Sequence, residues 1–249
     1  MNNAKNQRRL AAFIVGAGLL AASSIVTTAQ AVMFDFGAIA AANGGQEQGN
    51  PAESDGAPLA GLRFVEGSNS VFTDGFAANP LLQVIGTGQW TGGTAYAYLD
   101  GPSSGRQAGL GVCKTLTNPG KQCTPSNDDN VTTGETLTLT FNDMVTLVDI
   151  MFRGENHFDV GAPAPGELQA NETLFINGMA STFGTAVATL AGIGASDVFT
   201  FTFGGQMPEQ FYVNVIDARR VQVPEPATLG ILGAGIALFG FVGRRRKTA

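Results

Sequence analysis

The sequence predicts an all-β fold, two antiparallel sheets packed face to face as a sandwich of jelly-roll type. Three observations carry that prediction. Apolar and hydroxyl residues alternate along several short runs, Gly, Pro and Asn interrupt those runs, and no convincing long amphipathic helix occurs between residues 32 and 222. About nine or ten strands separated by such breaks suit two stacked sheets.

Residues 41–58, rich in Ala, Gly, Gln, Asn and Pro, read as a loop or flexible arm. Residues 62–65, 81–85 and 94–99 are strand candidates. In residues 135–141, Leu137, Leu139 and Phe141 alternate with threonines, so one face is apolar and the other hydroxylated. Residues 145–152 are apolar on both faces and read as a central strand. Residues 173–176 and 211–216 are further candidates, and 198–203 turn Phe199, Phe201 and Phe203 inward. Residues 186–195 are a weak helix candidate because Gly192 and Gly194 oppose it. No internal repeat is visible.

Both ends of the chain are addresses rather than fold. Lys5, Arg8 and Arg9 precede the apolar stretch 10–22, and Ala29 and Ala31 place small residues where a signal peptidase reads them. Residues 1–31 are therefore expected to be a cleaved secretion signal, with Val32 the new N-terminus. The Arg8-Arg9 pair leaves the twin-arginine route open, although the flanking residues favour general secretion. At the other end, residues 227–243 are uncharged, and about 17 residues at about 1.5 Å each span about 25 Å, the short end for a bilayer core. Arg244, Arg245, Arg246 and Lys247 follow and hold that end in the cytoplasm. Pro224 and Pro226 lack amide protons and bias Val223 and Glu225 to extended backbone, so no helix continues upstream. An extended segment at the membrane face is the shape a protease or transpeptidase grips. Gly230, Gly233 and Gly235 leave helix pairing as another use of the segment.

Between the two addresses, residues 32–222 hold seven basic residues against nineteen acidic ones, a net charge of −12. That charge disfavours nucleic acid and anionic lipid as partners and favours solubility and divalent cations. Cys113 and Cys123 are the only cysteines. In an oxidising compartment a local disulfide across the Asn118-Pro119-Gly120 turn is the expectation, with free thiols or a metal the alternatives.

Asn127, Asp128, Asp129, Asn130 and Glu135 gather oxygen ligands in one stretch, and Asp128, Asp129 and Glu135 are candidate calcium ligands. No EF-hand order is present, and a solvated turn explains the same residues. His157 is the only histidine, so a Ser or Cys nucleophile would have to use it as base; a loop-packing role is the plainer reading. No Gly-x-Ser-x-Gly or His-Glu-x-x-His occurs, no carboxylate pair stands out, and no enzyme activity is expected. Trp90, Tyr96 and Tyr98 flank a glycine-rich turn and are candidate platforms for sugar rings, with core burial the competing account.

The succession Val223-Pro224-Glu225-Pro226-Ala227-Thr228, a short apolar run and an arginine cluster resembles the PEP-CTERM sorting signal of Gram-negative bacteria. The resemblance covers about a tenth of the chain. It implies exosortase as partner, with Pro224, Glu225 and Pro226 as substrate residues, and a membrane-anchored intermediate that passes to the cell surface or exopolysaccharide matrix. A plain single-pass anchor is the alternative. Residues 109–113, 123–131 and 134–141 also look like the ectodomain of a group of PEP-CTERM proteins, in which a Gly-Leu-Gly-Val strand, an Asp-Asp-Asn-Val loop and a Gly-Glu-x-Leu strand open a β-sandwich. The expected function is an exported structural or adhesive component of the surface or matrix, with a lectin-like module or a secreted hydrolase as alternatives.

Overall fold

The computed structural model describes residues 30–43, 48–49, 61–72, 76–78, 80–117, 122–163, 167–205 and 210–221. The first strand, β1 (Ala31–Asp35), runs directly into helix α1 (Phe36–Ala42). Asp35 makes the junction: its carboxylate accepts the Ala38 N–H at 2.7 Å, satisfying one of the open donors of the first turn. Then come β2 (Gln48–Gly49), β3 (Leu62–Val65), β4 (Val71–Phe72), β5 (Gln83–Trp90), β6 (Gly93–Thr94), β7 (Tyr96–Leu99) and β8 (Leu110–Cys113). The long strand β9 (Glu135–Gly154) is followed by β10 (Thr173–Ile176), β11 (Met179–Thr182), helix α2 (Ala186–Ile193), β12 (Ser196–Phe203) and β13 (Phe211–Arg220).

All these pairings are antiparallel, as the alternating sequence requires. Strand β9 joins two neighbourhoods. Its first half lies between β5 and β12, while residues 145–154 pair with β13. Beyond β12 lie β10 and β11, and beyond β13 lie β1, β8, β7 and β2. The ladder is thus one continuous network through β9 rather than two sheets with separate hydrogen bonding.

Two strands expected in the sequence, 135–141 and 145–152, are one element that runs through the exposed Asn142, Asp143 and Met144. Register shifts against β13, between Val213 and Val215 and between Asp217 and Ala218, explain why its second half looked apolar on both faces. Such irregularities add twist and change the phase of the pleat. Leu147 is buried, then Ile150 and Phe152, while Met151 faces out.

The core confirms the period-two reading. Leu137, Leu139 and Phe141 of β9 and Phe199, Phe201 and Phe203 of β12 are all buried, and their threonines face the other way. Phe152 meets Phe183, Phe211 and Phe201 edge to face, with centroids at 5.0, 5.5 and 6.3 Å. Strand β5 extends past the expected 81–85 because its glycines mark a close crossing, not a break. A Cβ on Gly86 would lie 2.7 Å from a Leu110 methyl, and one on Gly88 2.6 Å from the Tyr96 carbonyl. Helix α2 forms despite Gly192, burying Ala186 and Leu190, and ends at Gly194, where φ is +77°.

Candidate functional site

Two polar clusters flank the segment 123–131, and the sequence candidates divide between them. The first is built around the end of β8. Cys113 and Cys123 form a disulfide with Cα atoms 5.8 Å apart. In β7, Ala97 and Leu99 enter the main core, so Tyr98 points to the opposite side, beneath the disulfide. There it is fully buried, and its hydroxyl oxygen accepts the Cys123 N–H at 3.3 Å. Tyr98 is therefore no sugar platform, a correction to its sequence assignment, and Tyr96 is half-buried on the same strand. Trp90 remains 38 % exposed beside a depression of about 380 Å³ that Gln89 and Thr94 also line.

Lys114 follows the disulfide and sits where a cation would be expected. Its ammonium lies 2.5 Å from Asp128 Oδ1, 2.6 Å from Glu135 Oε1 and 5.8 Å from the Trp90 ring centroid. Glu135, 0 % exposed, also accepts the Thr132 N–H at 2.8 Å. Burial pushes its carboxyl above the usual range, outweighing Lys114 and the Thr132 amide. For Lys114 burial works downward, but hydrogen bonds and charge from Asp128 and Glu135 carry the net shift upward. Asp128, Asp129 and Glu135 consequently do not converge as a calcium site: two of them hold Lys114, and Asp129 turns away. Among the described residues no group of three or more His, Cys, Asp or Glu is arranged for a metal.

The second cluster lies where Asp129 turns. Asp129 Oδ1 accepts from the Tyr212 hydroxyl at 2.7 Å and from Asn130 Nδ2 at 3.1 Å. Gly111 permits this loop to lie on β8, since a Cβ there would run into the Asp129 carbonyl. Asn130 is completely buried, and its Oδ1 has no hydrogen-bond partner. Next to it, His157 Nε2 lies 2.8 Å from Asp100 Oδ2, and Nδ1 lies 3.3 Å from the Arg106 carbonyl. His157 sits in the turn after β9 with φ +62°, its ring edge-on to Tyr212 at 5.5 Å.

Acceptors on both ring nitrogens favour the imidazolium. Burial alone would lower the His157 pKa; the Asp100 hydrogen bond and charge, the Arg106 carbonyl and Asp129 reverse this, and the net shift is upward. The Tyr212 phenol is pushed well up, by burial first and by Asp129 and Asp100 next. These groups open onto a cleft of about 400 Å³ lined by Asp100, Asp129, Asn130, Glu155, His157 and Tyr212. Such a lining can hydrogen-bond a polar ligand. Its imidazole is committed to Asp100 and Arg106, and both cysteines are oxidised.

Sequence reading named His157 and the Asn127–Asn130 stretch but could not join them to Asp100 and Tyr212. No local spacing announces that meeting, because the residues arrive from four separate parts of the chain.

Outside the described residues lie Ala29, Pro224, Glu225, Pro226, the apolar segment 227–243 and the basic residues Arg244, Arg245, Arg246 and Lys247. Among the described residues no helix is long and apolar enough to cross a membrane. The family model for the PEP-CTERM protein-sorting motif matches residues 222–247. The chain carries a PEP-CTERM protein-sorting motif. The motif implies processing by exosortase and export to the surface or extracellular space. No curated protein and no solved structure matches the chain. Strand β13 ends at Arg220, two residues before the matched motif begins. Tyr212 lies eight residues upstream on the same strand, so the cleft sits about 26 Å from that end at about 3.3 Å per residue.

Proposed function

We propose that this PEP-CTERM protein is a structural or adhesive component of the cell surface or exopolysaccharide matrix, carried there by two successive cleavages. Signal peptidase acts after Ala31, leaving Val32 as the N-terminus. Residues 227–243 then tether the chain in the inner membrane while Arg244, Arg245, Arg246 and Lys247 stay on the cytoplasmic side. Exosortase acts at Pro224, Glu225 and Pro226 and passes the domain outward. The domain itself behaves as a sandwich of jelly-roll type whose two layers share β9.

The observation that carries this reading is the sorting motif directly after the last strand. In sequence, few residues separate the end of β13 at Arg220 from the motif. Intact-mass measurement and fractionation in cells that hold exosortase test it. The mature wild-type protein should begin at Val32, lack Ala249 and leave the inner membrane, and Glu225→Ala should accumulate there with its terminus intact. A mature wild-type chain that still ends at Ala249 would overturn the proposal.

A further inference from the structure

We propose that the cleft bounded by Asp100, Asp129, Asn130, Glu155 and His157 binds a neutral, hydroxyl-rich saccharide unit, the contact through which the exported protein holds its polymer. This rests on the matrix reading and adds a site and a ligand class to it.

The site is built in advance. Asp100, Asp129, Asn130, His157 and Tyr212 are each more than nine-tenths buried, yet all line one opening. Asp129 is steadied by Tyr212 and Asn130, and His157 is fixed by Asp100 and the Arg106 carbonyl, so their rotamers are set before any ligand arrives. A volume of about 400 Å³ falls in the range of about 300–1,000 Å³ typical of small-ligand sites.

Asn130 supplies the independent sign that something completes the site. Its amide nitrogen is spent on Asp129, which fixes the amide orientation, since a flipped amide would aim oxygen at a carboxylate. The Oδ1 left over is buried and has no partner. A buried acceptor without a donor is costly, and a ligand that brings one recovers that cost on binding. Asn130 lines the cleft, so an O–H or N–H donor seated there is the group that could meet this oxygen.

Charge selects among sugars. Asp100, Asp129 and Glu155 outnumber the single imidazolium, and the nearby Lys114 is held by Asp128 and Glu135. An anionic uronate would enter a field of its own sign, with no lysine or arginine among the described residues that line the cleft. Neutral sugars carry vicinal hydroxyls that donate to carboxylate and amide oxygens without that penalty. Trp90 belongs to a different depression, so this site is separate from an aromatic platform there.

The test uses the full chain in a zwitterionic detergent, which adds no sugar headgroup, on an array of neutral hexose, N-acetylhexosamine and uronate oligomers. Saturable binding to a neutral oligomer is expected, weakened about tenfold or more by Asn130→Ala and by Glu155→Gln and unchanged by Trp90→Ala. Glu155 is only half-buried, so its variant decides the matter if Asn130→Ala fails to fold. Absence of saturable binding, preference for uronates, or loss through Trp90→Ala alone would overturn the proposal. Failure here with normal removal of the C-terminal tail sinks only the cleft assignment. Neutral-sugar binding by a chain that keeps Ala249 sinks only the sorting pathway.

Discussion

Replacing Lys114 with methionine keeps the aliphatic stem and removes the charge that faces Asp128 and Glu135. The Glu135 side chain is 0 % exposed and that of Lys114 is 25 % exposed, so the variant leaves a fully buried carboxylate with the Thr132 amide but no cation. Breaking a buried pair from one side costs about 3–5 kcal/mol, and water reaching the lysine end places this case at about 3 kcal/mol. For a domain of this size that loss lowers Tm by about 6–12 °C. The deficit also depends on pH with a defined sign. Burial already holds Glu135 above the ordinary carboxylate range, and loss of Lys114 raises it further. A carboxyl raised in the folded state favours folding when protonated, so the deficit is full near pH ~7 and shrinks as pH falls through the folded value. Urea denaturation followed by Trp90, the only tryptophan, measures both effects. Adding Glu135→Gln to the variant should restore most of the loss. Equal deficits at about pH 7 and about pH 4, or no recovery in the double variant, would refute this account of the pair.

Serine at both Cys113 and Cys123 should lower stability by about 3 kcal/mol, because the bridge closes a short loop and covers Tyr98; denaturation with and without reductant checks it, with the reductant affecting only the wild type. His157, raised by Asp100, the Arg106 carbonyl and Asp129 against its burial, contributes stability that is fully present below its unfolded value of about 6.5 and lost as pH rises through the folded value. His157→Gln should flatten that part of the stability profile, as read by Tm across the same pH range.

Much of the fold was legible because alternation is a local property. The runs ending at Phe141 and Phe203 put their side chains on the expected faces, and 62–65 and 173–176 match β3 and β10 in full. What failed depended on distant partners. Gly86 and Gly88 look like a strand end until Leu110 and Tyr96 are seen pressing on them. Helix α1 owes its start to the single side chain of Asp35, and only its last two residues fall within the stretch 41–58 read as a loop or flexible arm. The same division holds for the sites. The disulfide followed from loop length and compartment, whereas the acidic stretch divides within one loop: Asp128 faces Lys114, and its neighbour Asp129 faces Tyr212. A sequence run of carboxylates suggests one site, but neighbouring side chains of this loop serve different partners.

Strand β13 is the last of the described elements to emerge during synthesis, yet it pairs with β9 along most of its length and also with β1 and β8. The phenylalanine cluster is therefore incomplete until Phe211 has joined it. Such late, long-range closure is slow. Because β13 ends at Arg220 and the matched motif begins at residue 222, the strand that completes the body and the sorting motif are made within a few residues of each other.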